Sequence, residues 1–176
     1  METDRLVIRG FFADDWKDLH EYLSQPETVK YEPYRIFTEE QSRIEAAKRA
    51  ENDAFWAVCL KDTGKMIGNL YMADQGFDTY ELGYVFNAKY LGNGYATEAA
   101  RALIDSAFNE KRAHRIIANC NPKNERSWKL LERLGMRKEG TLLKNIYFER
   151  DKQNAPIWQD TVEYAVLRTE WLQRDK

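Results

Sequence analysis

Residues 81–100 read Glu-Leu-Gly-Tyr-Val-Phe-Asn-Ala-Lys-Tyr-Leu-Gly-Asn-Gly-Tyr-Ala-Thr-Glu-Ala-Ala, and the rest of the chain is organised around this run. It begins as a strand. Tyr80, Leu82, Tyr84 and Phe86 alternate with Thr79, Glu81, Gly83 and Val85, the period of two that places successive side chains on opposite faces of a sheet. It ends as a helix, because Ala96, Ala99, Ala100, Leu103, Ile104, Ala107 and Phe108 recur at steps of three and four. Between them lies Leu91-Gly92-Asn93-Gly94-Tyr95-Ala96, a glycine-punctuated turn that opens directly into the helix.

A strand, a Gly-x-Gly turn and a helix N-terminus together form an anion cradle. The first N–H groups of a helix have no intrahelical partner, and the macrodipole makes that end attractive to phosphate. A Walker-type loop would continue Gly-Lys-Ser/Thr, whereas Gly94 is followed by Tyr95 and Ala96. A dinucleotide fingerprint needs glycine or alanine where Thr97 stands, and an acid near the end of the next strand, which here reads Asn119-Cys120-Asn121. Neither nucleotide pattern fits.

Outward from this run, the remaining segments read as short elements. Leu6 and Ile8 open a first strand, and Trp16, Leu19, Tyr22 and Leu23 mark a helix with Asp14 and Asp15 in its first turn. Pro26 and Pro33 bound an irregular segment from Glu27 to Tyr34, and a charged surface helix starts at about Thr38. Residues 55–60 and 66–72 pair as a hairpin across Asp62-Thr63-Gly64-Lys65. Residues 115–120 form a strand, Asn124 begins a short helix that Gly135 ends, and strands follow near 136–143 and 161–167 around a polar loop at 144–159. The order is strand, two helices, three strands, helix, strand, helix, two strands. It predicts an α/β fold in which residues 1–176 form a single domain, a mixed and mostly antiparallel sheet flanked by helices.

Composition narrows the functions. At 43% hydrophobic and 13% aromatic, 176 residues suffice for one packed core. A formal net charge of −2 gives no electrostatic reason to expect nucleic acid or a membrane surface as partner. No apolar run approaches the roughly 20 residues of a membrane span. Cys59 and Cys120 sit in apolar strand patterns, and His20 and His114 lie far apart, so neither a disulfide framework nor a metal-ligand cluster is expected. Arg5-Leu6-Val7-Ile8-Arg9 follows the N-terminus without a signal-peptide core, which predicts a cytoplasmic protein.

The loop Lys89-Tyr90-Leu91-Gly92-Asn93-Gly94, with the strand before it and the helix after it, resembles the pyrophosphate loop Gln/Arg-x-x-Gly-x-Gly/Ala of the GNAT superfamily of acyl-CoA-dependent N-acyltransferases. Lys89 replaces the usual Gln or Arg. Tyr95-Ala96-Thr97-Glu98-Ala99-Ala100 is similar to the branch that acetylates ribosomal-protein N-termini. A second segment, Asn124-x-x-Ser127 followed by Leu131-Glu132-Arg133-Leu134-Gly135-Met136, resembles the family's Asn-x-x-Ser and Leu-x-x-Leu-Gly-Phe pattern. The resemblance covers nearly the whole chain and is weakest between Pro26 and Asp53.

This resemblance implies acetyl-CoA as donor, no metal, and a primary amine of a protein N-terminus or small molecule as acceptor, with a homodimer as a further expectation. It implies that Leu91, Gly92, Asn93, Gly94, Tyr95, Ala96 and Thr97 hold the pyrophosphate. Val85 and Phe86 would pair their backbone with the pantetheine arm and polarise the thioester carbonyl. Asn124 contacts the CoA arm and also suits a helix N-cap. Glu81 is the first candidate for the base that a protonated amine requires, although a strand glutamate equally suits a salt bridge. Many family members carry a tyrosine acid where Leu131 stands, which leaves Ser127 to assist thiolate departure, with Tyr147 or Tyr34 in reserve. Tyr31, Glu32, Tyr34 and Trp56 are candidates to line an acceptor cleft, and Asp160 either orients the amine or ends its loop. The missing tyrosine also admits a non-catalytic CoA-binding sensor or interaction module on the same fold.

Overall fold

The computed structural model describes residues 1–174. Seven strands, β1 (Leu6–Gly10), β2 (Phe55–Leu60), β3 (Met66–Asp74), β4 (Thr79–Phe86), β5 (Arg115–Cys120), β6 (Arg137–Ile146) and β7 (Gln159–Leu167), form one sheet in the order β1-β2-β3-β4-β5-β7-β6. Helices α1 (Trp16–Leu23), α2 (Pro26–Val29), α3 (Glu39–Ala50), α4 (Tyr95–Asn109), α5 (Glu125–Arg133) and α6 (Arg168–Gln173) cover it. All neighbouring strands run antiparallel except β4 and β5, which are parallel. A parallel pair needs a crossover, and α4 provides it.

Each face of the sheet buries its own apolar cluster. On one, Leu70, Leu82 and Ile116 pack against Leu103, Ile104 and Phe108 of α4, together with Leu130 and Leu131 of α5. On the other, Ala57, Met66 and Val85 meet Leu19, Tyr22 and Leu23 of α1 and Ala46 of α3. Helix α4 buries Ala99, Ala100, Leu103, Ile104, Ala107 and Phe108, the stripe its spacing predicts. Thr38 caps α3 by accepting from the Gln41 N–H at 3.2 Å while Gln41 returns a bond from the Thr38 N–H at 2.8 Å, a reciprocal capping box.

Two elements depart from expectation. Pro26–Val29 forms a single helical turn in the segment read as irregular, with proline at its start where the missing N–H costs nothing. Beyond β7 the chain adds α6, whose Trp171 donates to Asp105 at 2.5 Å and packs on Phe108 with ring centroids 5.9 Å apart. Six residues carry too little periodicity to announce a helix. Strand β6 is an exposed edge, and Arg137 and Glu139 on it form an ion pair at 2.6 Å, the kind of edge charge that opposes strand addition. Among the described residues, no helix is long and apolar enough to cross a membrane.

Candidate active site

The Gly92–Gly94 turn is built for approach by an anion. Gly92 and Gly94 have φ of 82° and 80°, and Gly94 is the N-cap of α4, a left-handed conformation that side chains with a Cβ disfavour. Asn93 donates its side-chain amide to the carbonyls of Tyr90 and Leu91 at 3.2 and 3.3 Å, which tightens the turn. Among the described residues, no backbone acceptor takes up the N–H groups of residues 92 to 97. They remain as free donors at the positive end of α4. Beside them runs a groove of about 710 Å³ that Gly94, Thr97, Arg101 and Arg133 line.

The brace of this turn comes from far away in sequence. Arg5 of the segment entering β1 donates to the Asn93 carbonyl at 3.0 Å and to Glu98 at 2.7 Å, and its guanidinium lies 4.5 Å from the Tyr95 ring centroid. Lys89, at the first position of the loop motif, turns to α1 and pairs with Glu21 at 2.9 Å. Hydrogen bonds from Lys65 and Lys89 hold the Glu21 carboxyl down at about 2. Lys89 therefore anchors the start of the loop to the first helix.

Strands β4 and β5 part company in front of this cradle. They pair only at Thr79–Arg115, Tyr80–Ile116 and Glu81–Ile117. Beyond Glu81, the residues up to Phe86 pair with β3 alone, while Ala118 to Cys120 pair with β7 alone. One edge of β4 thus presents unpaired backbone at Tyr84 and Phe86 to a cleft that leads toward the glycine turn, whereas Val85, expected to share that role, lies at a hydrogen-bonded position opposite Asn69 of β3. The Phe86 ring lies over Gly68, where a Cβ would come within 2.6 Å of it, so the packing of β3 on β4 depends on that glycine.

Helix α5 forms the opposite lip of the cleft. Asn124 caps it by accepting from the Ser127 N–H at 3.3 Å. The Tyr84 hydroxyl reaches across from β4 to lie 2.9 Å from the Ser127 hydroxyl and 3.0 Å from its carbonyl. Burial pushes the Tyr84 phenol well above its ordinary range, against the pull of the Ser127 hydrogen bond, so it keeps its proton. Leu131, at the position where the resembling family carries tyrosine, is fully buried in the core. A phenol nevertheless stands at this helix, contributed by the strand. Sequence reading passed over Tyr84 because a strand tyrosine between apolar neighbours carries no mark of a distant hydroxyl partner. Burial raises the Cys120 thiol as well, and the Ser127 hydroxyl beside it pulls the other way.

The far face of the cleft belongs to the segment between α1 and α3. The Tyr31 hydroxyl donates to the Lys123 carbonyl at 3.1 Å, tying this segment to the turn that precedes α5. Next to it, burial pushes the Glu32 carboxyl up to about 7, while the Tyr34 hydroxyl and Arg49 guanidinium pull it down. Arg49 is 3% exposed and donates to Glu45 at 2.8 Å and to Asn69 at 3.0 Å; Tyr22 donates to the same Asn69 oxygen at 2.8 Å. Glu81 shares this face, and its two oxygens accept from Gln75 at 3.3 Å and Asn119 at 3.1 Å in exposed bonds.

Other sequence candidates lie elsewhere. Trp56 packs on the α4 side of the sheet, opposite Tyr34, and its buried indole N–H has no partner among the described residues. Asp160 accepts from the Lys144 N–H at 2.7 Å and so closes the β6–β7 hairpin, where Lys144 has φ of 48°. Tyr147 sits at the hairpin tip, held by Arg150 at 2.9 Å and edge-on to Trp158. His20 contacts Ser42 at 3.1 Å. Among the described residues, no group of His, Cys, Asp and Glu is placed to hold a metal ion.

The splayed parallel pair beside a glycine-rich helix N-terminus offers an open strand edge next to an anion cradle. Residues 5–137 match the family model described as an acetyltransferase (GNAT) domain, and the chain belongs to that family. It is 38% identical over 171 residues to an uncharacterized N-acetyltransferase of Bacillus subtilis, YnaD, covering 96% of this chain and 97% of that protein. It is 31% identical to the ribosomal protein uS5-alanine N-acetyltransferase of Escherichia coli, covering 97% and 92% of the two chains. The crystal structure of a GNAT-family acetyltransferase from Bacillus anthracis superimposes with a TM-score of 0.88 at 37% identity, covering 97% and 99% of the two chains. The protein is an N-acetyltransferase, and the family's donor is acetyl-CoA.

Proposed function

We propose that the protein transfers the acetyl group of acetyl-CoA to the primary amine of a protein N-terminus or of a small molecule, by direct attack in the cleft between β4 and β5. The observation that carries this reading is the end of β4–β5 pairing at Glu81 and Ile117, together with the free amides at Gly92 to Thr97 on the turn that follows β4. In this reading the pyrophosphate lies on residues 91 to 97, Asn124 holds the arm, and the Phe86 backbone on the free edge of β4 stabilises the developing oxyanion. Glu81, on the acceptor face, is placed to attract a cationic amine. Two free cysteines suit a cytoplasmic setting. The relative that acts on a ribosomal-protein alanine supports an N-terminal amine as the first acceptor to try.

The reaction must dispose of two protons. The ammonium loses one before its lone pair can attack the thioester carbon. A tetrahedral intermediate forms, the C–S bond breaks, and the second nitrogen proton is balanced by protonation of the CoA thiolate. The Tyr84–Ser127 pair is the source we assign for that last proton, which answers the alternative of a non-catalytic CoA sensor. Tyr84→Phe is expected to lower kcat by roughly 100-fold, the low end of general acid effects, with acetyl-CoA affinity kept. Steady-state turnover with thiol detection checks it, and unchanged kcat would remove Tyr84 from the mechanism.

A further inference from the structure

We propose that Arg5 is a positioning residue for the acetyl donor: by holding the Asn93 carbonyl it fixes the direction in which the Gly94 N–H meets the pyrophosphate. The assignment rests on the acetyl-transfer reading above and extends it to a residue outside the loop motif. Its physical basis is the peptide unit itself, which is planar and trans, so that its C=O and N–H point in opposite directions. Arg5 Nη1 donates to the Asn93 carbonyl at 3.0 Å, and the Gly94 N–H at the other end of that unit therefore points away from Arg5. Among the described residues, that N–H has no backbone acceptor, and no backbone group shares the Asn93 carbonyl with Arg5. The Leu91–Gly92 unit is held in the same way. The Asn93 side chain donates to the Leu91 carbonyl at 3.3 Å, and the Gly92 N–H is free.

A glycine on one side makes this unit easy to turn over. Gly94 holds φ of 80°, and without a Cβ it also tolerates the φ that accompanies the inverted unit. Inversion would aim the Asn93 carbonyl, in place of the Gly94 N–H, at a bound phosphate. Arg5 opposes that inversion and is itself locked by Glu98. Its Nε and Nη2 reach Glu98 Oε2 at 2.7 and 2.6 Å, and its backbone N–H reaches Oε1 at 3.1 Å. Thr3 donates its hydroxyl to the same Oε1 at 2.6 Å. Thr3, Gly94 and Glu98 all line the groove beside the turn, so the clamp forms part of the wall of that groove.

The rival reading is a surface staple that only joins the N-terminal segment to α4. The Arg5 side chain is 48% exposed, and an ion pair so exposed contributes little to folding stability. The guanidinium fork separates the two readings. Three of its nitrogens work at once, two on a carboxylate and one on a backbone carbonyl. A lysine keeps the charge and can satisfy Glu98, but its ammonium is a point charge without the rigid fork that serves both acceptors together.

The test is calorimetric titration of wild type, Arg5→Ala and Arg5→Lys with acetyl-CoA, alongside Tm, the Gly94 amide resonance and turnover of an alanine-initiated peptide. Both variants are expected to bind acetyl-CoA roughly 10-fold more weakly and to raise its KM by a similar factor. They should keep kcat at saturating donor, KM for the peptide and Tm, and the Gly94 resonance should already be displaced without ligand. Binding within about twofold of wild type in either variant overturns the assignment, because the fork is then dispensable. Loss of kcat and Tm along with affinity identifies a staple of the fold and overturns it equally. Each of these outcomes leaves acetyl transfer standing. A wild-type protein that binds no acetyl-CoA removes the donor reading, and the role of Arg5 with it.

Discussion

Gly94→Val is expected to weaken acetyl-CoA binding by at least about 100-fold, equivalent to roughly 2.8 kcal/mol. Gly94 holds φ of 80° as the N-cap of α4, and a β-branched residue is strained there by about 1–3 kcal/mol. Relief of that strain rotates the peptide units that aim the amides of residues 92 to 97 outward. The new side chain also meets Arg5, whose Nη2 lies 3.5 Å from the position a Cβ would take. Displacing Arg5 releases the Asn93 carbonyl and Glu98 together. Calorimetric titration measures the effect directly. A dissociation constant within threefold of wild type would mean that these amides do not hold the pyrophosphate.

Arg49→Ala should destabilise the fold by about 3–5 kcal/mol, the range for breaking a buried charge network from one side. The guanidinium is the hub between α3 and β3. Its loss leaves the Asn69 oxygen with Tyr22 alone and the Glu45 carboxylate without a partner at 2.8 Å. It also removes the cation that lies 4.6 Å from the Phe55 ring centroid and 5.6 Å from that of Phe11. Glu45 is partly exposed, so water recovers part of its solvation, and the cost lies mainly in the cavity and in Asn69. At this chain length the change corresponds to a Tm drop of roughly 6–20 °C. Urea unfolding measures it, and a loss below about 1 kcal/mol would show that the network closes without Arg49. Because Arg49 stands beside Glu32 and Tyr34, the same variant should also disturb the acceptor face.

Much of this arrangement is legible in the sequence wherever the signal is local. The α4 stripe follows from spacing alone, and the caps at Thr38 and Asn124 follow from residue type at a helix entry. The splay of β4 from β5 is not legible there, because no residue spacing states where pairing stops. What remained hidden depends on partners remote in sequence. Arg5 braces a loop 88 positions away. Tyr84 reads as one more strand aromatic until α5 brings Ser127 against it, 43 positions on. Desolvation raises the Glu32 carboxyl and Arg49, 17 positions on, pulls it down, so Pro33 and the tyrosines beside it announce a turn and nothing about a carboxyl's midpoint. Trp56 shows a third limit. Phe55 to Leu60 is continuously apolar, and a strand buried on both faces gives no alternation from which to choose a side.

The most direct test of the central claim is a backbone amide titration with CoA, acetyl-CoA, NAD and ATP at matched concentrations. CoA and acetyl-CoA are expected to shift the amide resonances of Val85, Phe86 and residues 91 to 97 together, and NAD and ATP to leave Val85 and Phe86 unmoved. Shifts confined to other surfaces, or a response of these amides to NAD and ATP but not to acetyl-CoA, would contradict the assignment of this cleft as the acetyl donor's seat.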